Sequence, residues 1–203
     1  MRSIVKLIAV VFLILITLGC SIYHMQTPQI LPPGKWSGGA AVSSFGNRES
    51  EGVSYFPGFW FRRGISPRFD IGFHSFLLGV KVDCKYNLVK DYLSVGAGLG
   101  AGGFPIVGEG AFIIGGTSAE ASVYACYPGE IVTPYFAGRL TGASVSILGW
   151  EPVLAATSVG GLRVRISSRF SIYGEGGAMI LFEEGDRTLN ITGGLGIGYE
   201  FKR

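Results

Sequence analysis

The stretch LNITGGLGIGYEF (residues 189–201) puts Leu189, Ile191, Leu195, Ile197, Tyr199 and Phe201 at every second position, with Gly193 the one gap in the row. Between them lie Asn190, Thr192, Gly194, Gly196, Gly198 and Glu200. On a helix these apolar side chains would scatter around the circumference, whereas on a strand they form one face. The same alternation runs through Phe69, Ile71 and Phe73, through Val80, Val82, Cys84, Tyr86 and Leu88, through Leu93, Val95, Ala97 and Leu99, and through Leu162, Val164 and Ile166. The body of the chain therefore reads as a succession of half-apolar strands.

Turn signals divide it into about ten strands, near residues 35–45, 53–63, 68–76, 79–88, 92–102, 116–127, 132–145, 152–166, 170–180 and 189–201. Four connections are tight, at 64–67, 89–91, 128–131 and 167–169, while 46–52, 103–115, 146–151 and 182–187 read as longer loops. Short turns at one end and longer loops at the other are the topology of an antiparallel up-and-down transmembrane barrel. The expected fold is all-β, with ten strands and eight as the alternative count.

Composition decides which way the barrel faces. The 203 residues hold 33 glycines, 14 Phe and 9 Tyr but only 17 Lys+Arg and 14 Asp+Glu. That is too little charge for an ordinary soluble surface, where about a quarter of residues are charged. The row opposite each apolar row is glycine, serine and threonine with a few charges, which suits a crowded interior. Apolar rows pointing outward place Asp70, His74, Lys81, Asp83, Lys85, Glu120, Arg139, Arg163 and Glu175 in an interior charge network. Buried charges persist when paired, so the lumen is expected to be interlocked and largely filled. Arg68, Arg165 and Glu200 share the phase but sit at strand ends, where water is the expected neighbour. Tyr55, Phe59, Phe61, Phe69, Tyr86, Tyr92, Phe170, Tyr199 and Phe201 lie close to turns or strand ends, as interfacial girdles would require.

The first residues, MRSIVKLIAVVFLILITLGC, have a positive start at Arg2 and Lys6 and an unbroken apolar run from Leu7 to Ile16, the layout of a secretory signal. The run Thr17-Leu18-Gly19-Cys20 resembles the lipobox of bacterial lipoproteins. That resemblance implies cleavage after residue 19 and acylation of Cys20, with Ser21 favouring transfer to the outer membrane. Removal of 1–19 leaves fifteen cations against fourteen anions. No Lys/Arg-rich run survives, so nucleic-acid binding has no electrostatic footprint. Residues 21–34, SIYHMQTPQILPPG, carry three prolines and no period, and read as an extended tether. The expected organisation is a signal peptide at 1–19, a lipidated tether at 20–34 and a barrel domain at 35–203.

From these residues the chain resembles the small outer-membrane β-barrel proteins of Gram-negative-type bacteria, joined to a lipoprotein signal. MQTPQILPPGKWSGG (residues 25–39) resembles the lead-in of barrel proteins in which a Thr, a Leu-Pro-Pro-Gly-Lys and an aromatic precede the first strand. Such proteins usually end on an aromatic residue that the barrel-assembly machinery reads; here Phe201 is followed by Lys202 and Arg203. The resemblance implies localisation in the outer membrane, with membrane lipid and the assembly machinery as partners.

No catalytic constellation stands out. His74 and Ser75 are neighbours, but adjacent strand residues point to opposite faces and cannot form a nucleophile and base pair. His74 is expected instead as an interior hydrogen-bonding residue. Cys84 and Cys126 belong to no Cys/His cluster, so neither a metal nor another cofactor is expected, and strand phasing puts them on non-adjacent strands and opposite faces. GAGLGAGG (residues 96–103) lacks the following Lys-Ser/Thr of a phosphate loop and reads as strand packing. The sequence favours a non-enzymatic barrel with a structural or surface-interaction role. The alternatives are a narrow channel or carrier of small apolar molecules, a lipid-modifying barrel enzyme, and, as a different fold, a lipid-tethered soluble lipocalin-like binder.

Overall fold

The computed structural model describes residues 25–47, 53–76, 79–106, 112–146, 150–183 and 186–201. The expected signal peptide, 1–19, and Cys20 lie outside the described residues. Ten strands follow one another: β1 (Trp36–Asn47), β2 (Val53–Ser66), β3 (Phe69–Phe76), β4 (Gly79–Val89), β5 (Leu93–Ile106), β6 (Phe112–Cys126), β7 (Val132–Ser146), β8 (Trp150–Arg165), β9 (Phe170–Glu183) and β10 (Asp186–Glu200). Each pairs antiparallel with the next, and β1 closes on β10 from Ser37↔Glu200 to Asn47↔Asn190. Closure removes the two sheet edges whose unpaired amides and carbonyls lipid could not satisfy.

The apolar rows face outward. Leu195 and Leu99 are each 70% exposed and Ile191 61%, while Asn190 and Thr192 beside them are buried. A molecule with its apolar row outside and its polar row inside is built for lipid, and most strands exceed the roughly 9–11 residues needed to cross it. A soluble lipocalin-like barrel, which requires the reverse orientation, is thereby set aside. Trp36, Phe61, Tyr86, Tyr92, Tyr199 and Phe201 are exposed around the end that carries the start of β1 and the end of β10, and Tyr55 is exposed near the other.

Two features differ from the sequence expectation. Parts of the stretches read as longer loops are strand: Phe104↔Ile114 and Ile106↔Phe112 continue the β5–β6 ladder, so only 107–111 separate the two. The intervals between described strands at that end are 48–52, 77–78, 107–111, 147–149 and 184–185, no longer than those at the other end. Residues 103–106 and 112–115 keep pairing where glycine content alone suggested a loop.

The second feature is the position of residues 25–34. Read as a tether outside the barrel, they have no strand partner and run extended, but they enter the lumen. Met25, Gln26, Thr27 and Pro28 are buried there. At the mouth Gly34 N–H donates to the Gly64 carbonyl at 2.7 Å, and Gly64 N–H returns a bond to Lys35 at 3.0 Å. Deeper in, Met25 packs over Gly194 and Gly196 of β10, where a Cβ would lie 2.6 Å and 2.5 Å from its side chain. Two glycines in the luminal row thus make room for the segment.

Candidate functional site

The centre of the lumen is a cluster of charges locked to this inner segment. β2 projects Arg62 inward because Phe61 and Arg63 on either side of it face out. β3 contributes Asp70 and His74, and β4 contributes Lys81, Asp83 and Lys85, each two residues from the next as strand geometry demands. The guanidinium of Arg62 ion-pairs with both Asp70 and Asp83 and donates to Gln26 Oε1 at 2.9 Å. Asp83 Oδ2 accepts from Gln26 Nε2 at 2.9 Å and lies 2.9 Å from His74 Nε2. His74 Nε2 is also 2.8 Å from Gln26 Nε2. One glutamine from the inner segment therefore touches three charged or titratable wall residues on three strands.

Around this centre the contacts continue. Lys85 Nζ donates to the carbonyls of Thr27 at 2.6 Å and Gln29 at 3.1 Å, and Ser94 Oγ donates to the Pro28 carbonyl at 2.5 Å. Lys81 donates to Glu120 at 3.0 Å, and Glu120 also ion-pairs with Arg139 at 3.3 Å. Across the lumen Glu175 accepts from the Met25 backbone N–H at 2.9 Å and from the Tyr135 hydroxyl at 3.0 Å. Met25, Ala41, Tyr135 and Tyr173 form an apolar cluster with Trp60 and Phe56 against it. Prolines and backbone carbonyls of the segment supply acceptors that a side-chain-only lumen would lack.

Every residue expected in the interior network is in the lumen. Asp70, His74, Lys81, Asp83, Lys85, Glu120, Arg139 and Arg163 are buried, and Glu175 is partly buried. Asp70, His74, Lys81, Asp83, Lys85, Glu120 and Arg139 form one connected group around Arg62, Glu175 on β9 interacts electrostatically with Arg139, and Arg163 lies on β8 beside β9. Arg68 and Arg165 are exposed at strand ends. Cys84 and Cys126 are free thiols on β4 and β6.

Sequence reasoning missed Arg62, Gln26 and the luminal tyrosines Tyr124, Tyr135 and Tyr173. Arg62 was legible, because Phe59 and Phe61 facing lipid fix the phase of β2 and turn residue 62 inward. Gln26 carried no such signal, since it lies in no periodic segment.

As chemistry, the arrangement holds charge and shape. His74 is engaged by Asp83 and Gln26, and Ser75 follows it on the opposite strand face. Between the segment and the wall near the mouth remains a cavity of about 300 Å³, lined in part by Lys85, Arg163 and Tyr173.

No protein-family model and no curated protein matches the chain. Among solved structures it is similar to Neisserial surface protein A, at 14% identity and a TM-score of 0.42 over 82% of this chain and 96% of that one. It is similar to the outer membrane protease OmpT of Escherichia coli at 11% identity and a TM-score of 0.45, over 83% of this chain and 94% of that one. The attachment invasion locus protein Ail of Yersinia pestis matches at 17% identity and a TM-score of 0.38, over 83% of this chain and 99% of that one. Likeness at these identities assigns no activity to this chain.

Proposed function

We propose that this chain is an outer-membrane β-barrel lipoprotein, acylated at Cys20, whose role is structural or one of surface contact and not catalytic. The observation that carries this reading is the filled lumen: residues 25–31 occupy it and are hydrogen-bonded to β3, β4, β5 and β9. A lumen plugged and cross-linked in this way leaves no broad aqueous path. His74, the one histidine of the barrel wall, is committed to the central cluster through Asp83 and Gln26, which supports a role without turnover. The outward apolar rows supply the affinity for lipid, and Phe201 at the end of β10 supplies an aromatic for the assembly machinery.

The test joins gel migration with lipid labelling. Membrane-extracted protein should migrate faster unboiled than boiled, because a closed barrel resists detergent until heated. A Cys20→Ala variant should lose incorporation of labelled fatty acid yet stay in the membrane fraction. Release of that variant into the soluble fraction, without a heat-dependent shift, would overturn the membrane barrel. Fatty-acid labelling unchanged in Cys20→Ala would overturn the lipoprotein assignment alone.

A further inference from the structure

The mouth that carries the start of β1 and the end of β10 holds the 300 Å³ cavity between the inner segment and the wall. Its lining brings together Lys35, Lys85, Arg163, Arg165 and Arg169, with Asp91 and Glu200 the only carboxylates among its lining residues. Arg62 also reaches it, but Asp70 and Asp83 already neutralise that guanidinium. Lys85 is held by the carbonyls of Thr27 and Gln29.

Arg163 is different. It is 6% exposed, its Nη2 donates to Thr133 Oγ1 at 3.3 Å, and it bonds the Tyr173 hydroxyl. Its Nε is buried with no acceptor, and among the described residues no carboxylate forms an ion pair with it. A guanidinium kept that deep with only hydroxyl partners is costly, because desolvation goes uncompensated by any opposite charge. Each such unsatisfied group in a native fold calls for an explanation, and an anion supplied from outside is one that also accounts for Arg165 and Arg169 at the rim. The guanidinium fork matches two oxygens of a tetrahedral oxyanion, and several converging cations favour a group able to carry more than one negative charge.

We infer that this cavity binds a phosphate group, with Arg163 as its buried anchor and Arg165 and Arg169 drawing it in from the rim. Free inorganic phosphate and a phospholipid headgroup present the same recognition chemistry. Apolar neighbours in the lining, Ile30, Leu31 and Tyr173, leave room for either.

The test uses the full-length protein in a maltoside detergent free of phosphate, titrated calorimetrically at constant ionic strength. One arm adds inorganic phosphate, and the other adds dihexanoyl phosphatidylglycerol as monomer. Saturable binding in either arm is the expected result, and the arm that responds identifies the source. Arg163→Gln should weaken it about tenfold or more, the loss expected for a hydrogen bond to a charged group. Arg63→Gln, whose side chain lies outside over the Trp36 ring at 5.2 Å, should leave it unchanged. Should Arg163→Gln fail to fold, the double variant Arg165→Gln/Arg169→Gln reads the same site from its rim, with about threefold weakening expected. Saturable binding in neither arm, or binding undiminished by these cavity variants, would refute the site.

Discussion

Asp83 is a junction of the luminal network. Arg62, Gln26 and His74 contact it directly, and Lys81 stands 3.9 Å away. Removing it leaves a buried guanidinium with Asp70 as its one remaining carboxylate partner, and breaking a buried pair in this way costs about 3–5 kcal/mol even where the intact pair contributes little net stability. Asp83→Leu should therefore lower the urea midpoint for unfolding from lipid vesicles by an amount equivalent to a few kcal/mol. Arg68→Gln, at an exposed strand end, should fall within about 0.5 kcal/mol of the parent. Equal midpoints for the two variants would mean that water, and not Arg62, is the true partner of Asp83. The position of Asp83 was readable from sequence because Val82 and Tyr86 face lipid and fix the phase of β4. Its partnership with Gln26 was not readable: period two tells which face a side chain takes, not what crosses the lumen to meet it.

At the scale of elements, the strands and the inner segment were unequally legible. The ten strands follow from alternation, and several of their ends run past the expected bounds, as where Gly103↔Gly115 keeps pairing and where β10 begins at Asp186. The prolines of 25–34 correctly excluded a ladder, because proline donates no amide hydrogen. What they could not convey is that carbonyls left free by the missing ladder would be taken by Lys85 and Ser94 inside the barrel. The entry of this segment depends on Gly64, whose missing side chain lets the carbonyls of Leu31 and Pro32 lie against β2. A valine there would drive its Cβ into backbone, which cannot rotate aside as a side-chain tip can. Gly64→Val should keep the heat-dependent gel shift while loosening the segment, at an overpacking cost of about 1–3 kcal/mol. Proteinase K followed by mass spectrometry reads this: cleavage within 25–34 is expected in the variant and not in the parent. Protection in both would show that the luminal contacts hold the segment without its seat at the mouth.

For the whole molecule, the wall and the plug are separable in principle, because every strand of the closed barrel pairs without help from residues 25–34. A barrel of about this strand number has an interior that side chains largely fill, so the segment is the last occupant and not the only one. The luminal wall carries Arg62, Lys81, Lys85, Arg139 and Arg163 against Asp70, Asp83, Glu120 and Glu175, close to charge balance. Deleting 25–31 while retaining Gly34 and Lys35 removes the glutamine that holds Arg62, Asp83 and His74 together, and admits water to charges that attract it. In planar bilayers the parent should show no steady conductance, and the deletion should show small discrete steps with weak preference between cations and anions. The absence of strong selectivity follows from the balanced wall, so a strongly selective pore would contradict the charge assignment. Steps of equal size in parent and deletion would contradict the plug itself, since ions would then already pass alongside residues 25–31. A silent deletion variant that still shifts on heating would place closure in the wall, with Tyr124, Tyr135 and Tyr173 filling the space that the segment shares with them.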